Sequence, residues 1–241
     1  MPTETLTQTA RIIEIFSSIQ GEGIEVGRPH LFVRFWDCNL ACHYCDTDYR
    51  GPYTELRAAE LEGRVSQLLA AEGPHEAVSL TGGEPLLWWR FLTGFLPWLK
   101  SVGQRTYLET NGTLPAALAE VLDWVDVIAM DVKPPSATAD RAVWQEHAEF
   151  LQVAGRARRP IELFVKMVVT PSTTDEDLDR GAALVASANR RIPLVLQPVT
   201  PHGPVTAAPT ATQLRAWMRR ARTRLDDVRV IPQIHPGLGL R

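Results

Sequence analysis

The sequence predicts an α/β protein whose mostly parallel sheet rolls into an open, partial β/α barrel. Short apolar runs recur along the chain and mostly lack polar alternation, as strands buried on both faces do. Longer segments with helical spacing lie between them. Strand–helix alternation of this kind implies right-handed crossovers within one parallel sheet. There are too few units for a closed eight-fold barrel, and the pattern alone does not decide closure, so an open or partial barrel fits better.

The predicted strands are residues 12–16, 31–36, 77–80, 105–109, 125–130, 161–169, 193–197 and 228–230. Among the helices, residues 54–71 place Leu56, Leu61, Val65, Leu68 and Leu69 on one stripe, and 175–189 and 210–225 behave alike. Thr174 with Asp177 three residues on, and Thr210 after Pro209, read as helix starts. Residues 198–209, rich in Pro, Thr, Ala and Gly, read as a loop, and 155–160 as a solvated one. No internal repeat is visible. The 241 residues are expected to form one domain, 1–241.

Hydrophobic residues make up 45% and charged residues 22%, the balance of a soluble globular protein. A net charge of −3 gives no general electrostatic case for a nucleic-acid or phospholipid partner. No apolar run approaches the roughly 18 residues of a membrane span. The polar N-terminus, residues 1–11, lacks a signal-peptide core, so a cytoplasmic location is expected. Lysine is confined to Lys100, Lys133 and Lys166 against 22 arginines. Lys133 and Lys166 sit at apolar strands, where they either snorkel from the strand ends or serve a specific purpose.

All three cysteines, Cys38, Cys42 and Cys45, fall within eight residues directly after the strand at 31–36. A disulfide framework needs an even number spread along the chain. Clustered thiolates suit iron–sulfur clusters or zinc. A closed zinc site takes four ligands, no second Cys or His pair exists here, and His43 lies strained between two of the ligands. Ferredoxin-type clusters take four cysteines. Three therefore point to a [4Fe–4S] cluster with one open iron, where a cofactor binds. Next, Thr81-Gly82-Gly83-Glu84-Pro85 follows the strand at 77–80. Glycines there let backbone approach a ligand, and a carboxylate accepts from an ammonium group; a tight turn with a capping Glu is the plainer alternative. Glu109-Thr-Asn111-Gly112, Asp131-Val132-Lys133 and Gln197-Pro198-Val199-Thr200 each end a strand, where parallel α/β folds place ligands.

Cys-x3-Cys-x2-Cys followed by Gly-Gly-Glu-Pro resembles the radical S-adenosylmethionine (SAM) superfamily. That resemblance implies that SAM chelates the open iron and is cleaved to methionine and a 5′-deoxyadenosyl radical. It places Tyr44 near the adenine and the Gly-Gly-Glu-Pro segment at the SAM amino group. The run Ile15-Phe-Ser-Ser-Ile19-Gln20-Gly21-Glu22-Gly23, with Phe32-Val-Arg34-Phe, Asp46-Thr47 and the terminal Pro232-Gln233-Ile-His235, narrows this further. Over nearly the whole chain it resembles the 7-carboxy-7-deazaguanine synthase (QueE-type) family. The implied reaction is ring contraction of 6-carboxy-5,6,7,8-tetrahydropterin to 7-carboxy-7-deazaguanine with loss of ammonia, SAM being regenerated. The resemblance assigns Ile19, Gln20, Gly21, Arg34, Thr81 and the terminal Arg241 to substrate. It assigns Tyr44, Cys45, Asp46, Gly83, Glu84, Asp131, Val132, Lys133, Gln197, Pro198, Val199 and Thr200 to SAM, and Thr47 to Mg²⁺. The family often shows Ser-Pro-Lys where this chain has Asp131-Val132-Lys133. A flavodoxin- or ferredoxin-type electron donor and a homodimer are also implied; the sequence itself assigns neither. Two other readings stay open. A small radical SAM activase acting on a partner protein would need no equivalents of Gln20 or Arg34, and a non-catalytic zinc or iron protein would cleave no SAM.

Overall fold

The computed structural model describes residues 8–240. The chain opens with a hairpin in which β1 (Thr9–Ile19) returns antiparallel as β2 (Pro29–Phe35). After the cysteine loop a short strand, β3 (Thr54–Arg57), adds antiparallel to the outer edge of β1. Strands and helices then alternate: α1 (Ala58–Glu72), β4 (Ala77–Gly82), α2 (Trp89–Ser101), β5 (Thr106–Thr110), α3 (Pro115–Val121) and β6 (Val127–Val132). They continue as α4 (Pro135–Thr138), α5 (Trp144–Ala154), β7 (Glu162–Val169), α6 (Asp175–Ala188), β8 (Leu194–Pro198), α7 (Ala211–Ala221), β9 (Val228–Val230) and α8 (His235–Leu238).

The nine strands form one open sheet in the order β3-β1-β2-β4-β5-β6-β7-β8-β9. From β2 to β9 every pairing is parallel. The spatial order never reverses along that stretch, so each right-handed crossover lands on the same side. Helices α1, α2, α3, α5, α6 and α7 form a single layer there, each packed on the next. The core lies between that layer and one sheet face: Leu31, Val33, Leu80, Leu108, Met130 and Leu196 from strands meet Leu61, Phe95, Leu118, Phe150, Leu178 and Trp217 from helices. Among the described residues the opposite face carries no helix layer, and its lower part is closed by Ala77, Tyr107, Val127, Phe164 and Val195.

Both predicted helix starts are capped. Thr174 Oγ1 accepts from the Asp177 amide, and Thr210 with Gln213 forms a reciprocal capping box. The predicted helix at 54–71 is corrected at its start. Residues 54–57 instead pair with Thr9–Ile12 of β1, with buried Leu56 opposite Ala10, so edge pairing and not helical periodicity decides the segment. The helix begins at Ala58. No helix among the described residues is long and apolar enough to cross a membrane.

Candidate active site

Side chains alternate across a strand, so each strand feeding the core with one set of residues must offer the other set to the free face. On β6, Met130 and Val132 enter the core while Ala129 and Asp131 face away; on β8, Leu196 goes in and Gln197 out. At the carboxyl ends these outward residues line two adjoining cavities that share Glu22, Asp46, Thr47, Thr81 and Glu109.

Cys38, Cys42 and Cys45 all lie on the wall of the first cavity, none in a disulfide. Burial pushes the Cys38 thiol up to about 11 and raises Cys42 and Cys45 as well, with Lys133 pulling all three the other way. Such thiols become thiolates when a metal displaces the proton. Among the described residues no three Cys, His, Asp or Glu side chains converge on a point that one metal ion could occupy; a cluster instead takes each thiolate on a different iron.

The Gly-Gly-Glu-Pro segment braces this loop. Gly83 N donates to Phe35 O at 3.1 Å and Glu84 N to Asp37 O at 2.8 Å. A Cβ on Gly83 would stand 1.7 Å from Asp37 O, and one on Gly82, at φ +122°, 2.3 Å from Phe35 O. The glycines therefore admit the backbone that leads into the cysteines. Glu84 is fully buried and off the cavity wall: its carboxylate accepts from Leu86 N (3.0 Å), Thr110 Oγ1 (2.9 Å) and Asn111 N (2.7 Å). It caps a turn and ties β4 to the end of β5.

A line of acidic and basic side chains crosses the cavity floor. Lys166 pairs with Glu22 and lies 3.5 Å from Asp131 Oδ2. Lys133 Nζ donates to the same oxygen at 2.7 Å and to Tyr44 OH at 3.3 Å, and stands 5.3 Å from the Tyr44 ring centre. Burial opposes both ammonium charges, yet Asp131, with Tyr44 for Lys133 and Glu22 for Lys166, raises their pKa above the ordinary value. Burial likewise acts to raise Glu22, but Lys166 and Gln233 outweigh it and hold the carboxyl at about 2. These lysines are paired floor residues, not snorkelling ones. Asp131 Oδ1 and Gln197 Oε1 are buried with no hydrogen-bond partner, the state that a bound donor relieves.

The second cavity lies against the hairpin. A bulge between Ile12 and Glu14 adds one residue to β1, so Ile12 enters the core while Glu14 stands opposite Arg34 on the free face. Glu14 Oε1 accepts from Arg34 Nε at 2.8 Å, and the guanidinium lies 5.6 Å from the centre of Phe16, itself stacked on Phe32. Glu109 sits where the cavities meet and accepts from Gln20 Nε2 (2.9 Å) and Thr81 Oγ1 (2.7 Å). The C-terminal segment closes the mouth: Gln233 Nε2 donates to Glu22 Oε1 (2.6 Å) and Asp46 Oδ2 (3.1 Å), and Ile234 N to Gly21 O. A Cβ on Gly21 would stand 2.4 Å from His235 Nδ1.

Of the residues singled out from sequence, Tyr44, Asp46, Thr47, Thr81, Gly83, Asp131, Lys133, Gln197 and Val199 join the cysteines in the first cavity. Ile19, Gln20, Gly21 and Arg34 line the second. Val132 lies off the wall because strand parity sends its side chain into the core. Pro198 and Thr200 are also outside the lining, and Arg241 lies outside the described residues. Sequence reasoning gave no individual role to Glu22, Glu109, Lys166, Gln233 or His235, though it placed Glu109 at a strand end where ligands gather. Each had a signal: four belong to motifs quoted above, and Lys166 is one of only three lysines.

The family model described as the Radical SAM superfamily matches residues 37–185. The 7-carboxy-7-deazaguanine synthase of Geobacter sulfurreducens is 38% identical over 95% of this chain and 97% of its own. That of Methanothermobacter thermautotrophicus is 36% identical over 96% of this chain and 98% of its own. Among solved structures, QueE from Escherichia coli superposes with a TM-score of 0.62 at 18% identity, covering 93% of this chain and 94% of that one. SuiB of Streptococcus suis bound to S-adenosylmethionine gives 0.60 at 13% identity over 81% of this chain and 48% of that one. These two likenesses are of fold.

Proposed function

The chain belongs to the radical SAM superfamily and, within it, to the 7-carboxy-7-deazaguanine synthase family, and from that premise we propose how its two cavities divide the work. Its cofactors are a [4Fe–4S] cluster and SAM. The reaction is ring contraction of 6-carboxy-5,6,7,8-tetrahydropterin to 7-carboxy-7-deazaguanine with release of ammonia.

One observation carries the assignment: the cysteine-lined cavity and the Arg34 cavity meet at Thr81 and Glu109, so a cofactor in one abuts a substrate in the other. Cys38, Cys42 and Cys45 hold the cluster. The unpartnered acceptors of Asp131 and Gln197 support SAM in the first cavity, since its hydroxyl and amine donors would satisfy both. Tyr44 offers a ring face there. Bound together, cluster and SAM supply a carbon-centred radical. In the second cavity Arg34 pairs with the substrate carboxylate, a bidentate task suited to guanidinium. Glu109, oriented by Gln20 and Thr81, accepts from the ring nitrogens. Ile19 and Gly21 shape the wall. Thr47, shared by both cavities, contributes one oxygen to a Mg²⁺ otherwise held by substrate oxygens and water. Asn39, Ala41 and His43 of the cysteine loop are exposed, which supports reduction by a protein donor of flavodoxin or ferredoxin type. Three free thiols suit a reducing, cytoplasmic setting.

The test is incubation of anaerobically reconstituted protein with SAM, dithionite and the carboxypterin. The deazaguanine product and ammonia should appear only when all three are present. Reductive SAM cleavage with the pterin unchanged would reject the substrate assignment.

A further inference from the structure

We propose that Asn111 tunes the cluster by donating an N–H to the Cys38 sulfur, and that His147 is the positioning residue that holds Asn111 in place. This rests on Cys38 being a cluster ligand, and goes beyond it.

Asn111 sits in the turn after β5, with every polar group engaged. Its Nδ2 donates to Asn39 Oδ1 at 2.8 Å and to Cys38 Sγ at 3.7 Å, one amide hydrogen for each. Its Oδ1 accepts from Thr113 N (3.1 Å) and Thr113 Oγ1 (2.6 Å), while Thr113 Oγ1 accepts from Asn39 Nδ2 (2.8 Å). A backbone N–H can only donate, so the Thr113 amide fixes the Asn111 carboxamide with its NH₂ toward the sulfur. The ring of bonds locks Cys38–Asn39 to the turn.

The turn is pinned from behind as well. His147 of α5 is fully buried, and its Nε2 lies 3.0 Å from the Asn111 carbonyl oxygen. A carbonyl only accepts, so Nε2 carries the proton and Nδ1 is bare; Nδ1 is buried without a partner. A histidine kept in the core at the expense of an unsatisfied nitrogen is there for its other nitrogen. Glu84 takes the Asn111 amide on the remaining side.

A hydrogen bond to a ligating sulfur draws off negative charge and favours the reduced cluster, which carries one more electron. Removing it should lower the midpoint potential. The experiment is an EPR-monitored redox titration of reconstituted holoenzyme at matched iron content. Asn111→Ala should shift the midpoint to more negative potential, whereas Asn39→Ala, which leaves the N–H on the sulfur, should stay near the parent. His147→Phe should shift it in the same direction as Asn111→Ala, and His147→Gln, which keeps a donor, should restore it. If Asn111→Ala fails to hold iron, His147→Phe carries the measurement, its change lying behind the turn and away from the cavity. Potentials of Asn111→Ala or His147→Phe equal to the parent's would overturn the proposal. Iron retained in Cys38→Ala would instead reject the cluster assignment beneath it.

Discussion

Arg34 has its Nε held by Glu14 and a phenyl face beneath it, so its planar head is oriented before any ligand arrives. Arg34→Lys keeps the charge and loses that plane. Charge-assisted bonds of this kind are worth roughly 1.5–3 kcal/mol, so pterin turnover should fall about ten-fold or more while SAM cleavage without substrate persists; if cleavage collapses too, Arg34 serves the fold. Thr47 poses a different question, because a hydroxyl there could cap a following helix. None follows: the next element is β3. Turnover should rise with added Mg²⁺, and Thr47→Ala, unlike Thr47→Ser, should shift that dependence to higher metal; identical titration curves would remove Thr47 from the metal. His147 brings a pH dependence. Burial pulls its pKa from the ordinary 6.5 to about 4, with the bond to Asn111 acting the other way. Within that window the unfolded chain binds a proton that the folded chain does not. The stability this gives is therefore full above 6.5 and is lost as pH falls toward 4, by roughly 3 kcal/mol. His147→Gln should flatten the acid limb of a denaturation series, and an unchanged limb would contradict the assignment. Residues such as Cys38, Cys42 and Cys45 were legible because their spacing states their chemistry. Glu84 and Lys166 were not, since partners 26 residues away in the one case and 144 in the other decide where their charges point.

The strands make the site by parity, and parity is readable once the core face is known. Val132 and Gln197 both stand in polar-ended motifs, but only Gln197 has the outward phase. The bulge at Ile12/Glu14 changes that phase within β1. No residue in β1 announces it, which is why the Glu14–Arg34 pair escaped the sequence. The stretch 54–57 failed for a related reason: its apolar stripe suits a helix, but the free edge of β1 offers backbone partners that local periodicity does not report. The Gly82-Gly83 pair was legible as a place of close approach, though what approaches is the entry to the cysteine loop. This gives a paired test by thermal denaturation and iron analysis. Gly63 lies in α1 with nothing within 4 Å of an added Cβ, so Gly63→Ala should stabilise by about 0.5–1 kcal/mol and keep full iron. Gly83→Ala forces Cβ onto Asp37 O and should cost both stability and iron. A Gly83→Ala protein with parental iron and melting temperature would show that the loop does not depend on this contact.

At the scale of the molecule, function follows from strand order. An order that never reverses from β2 to β9 puts every crossover helix on one side and leaves the other face free. The carboxyl ends of β4 to β8 then deliver their outward residues to one place. The alternation of strands and helices in the sequence predicted that much. It did not predict the closure, in which Gln233 reaches back 211 positions to Glu22. The proposed arrangement sets cofactor and substrate against each other across Thr81 and Glu109. It is tested most directly with carboxypterin deuterated at the carbon bearing the carboxylate, turned over by the reconstituted enzyme with SAM and dithionite. With SAM regenerated in each cycle, as the family resemblance implies, deuterium should leave that carbon and appear in recovered SAM. Deazaguanine formed with no deuterium in SAM or 5′-deoxyadenosine, or SAM cleaved while the label stays on the pterin, would contradict the account.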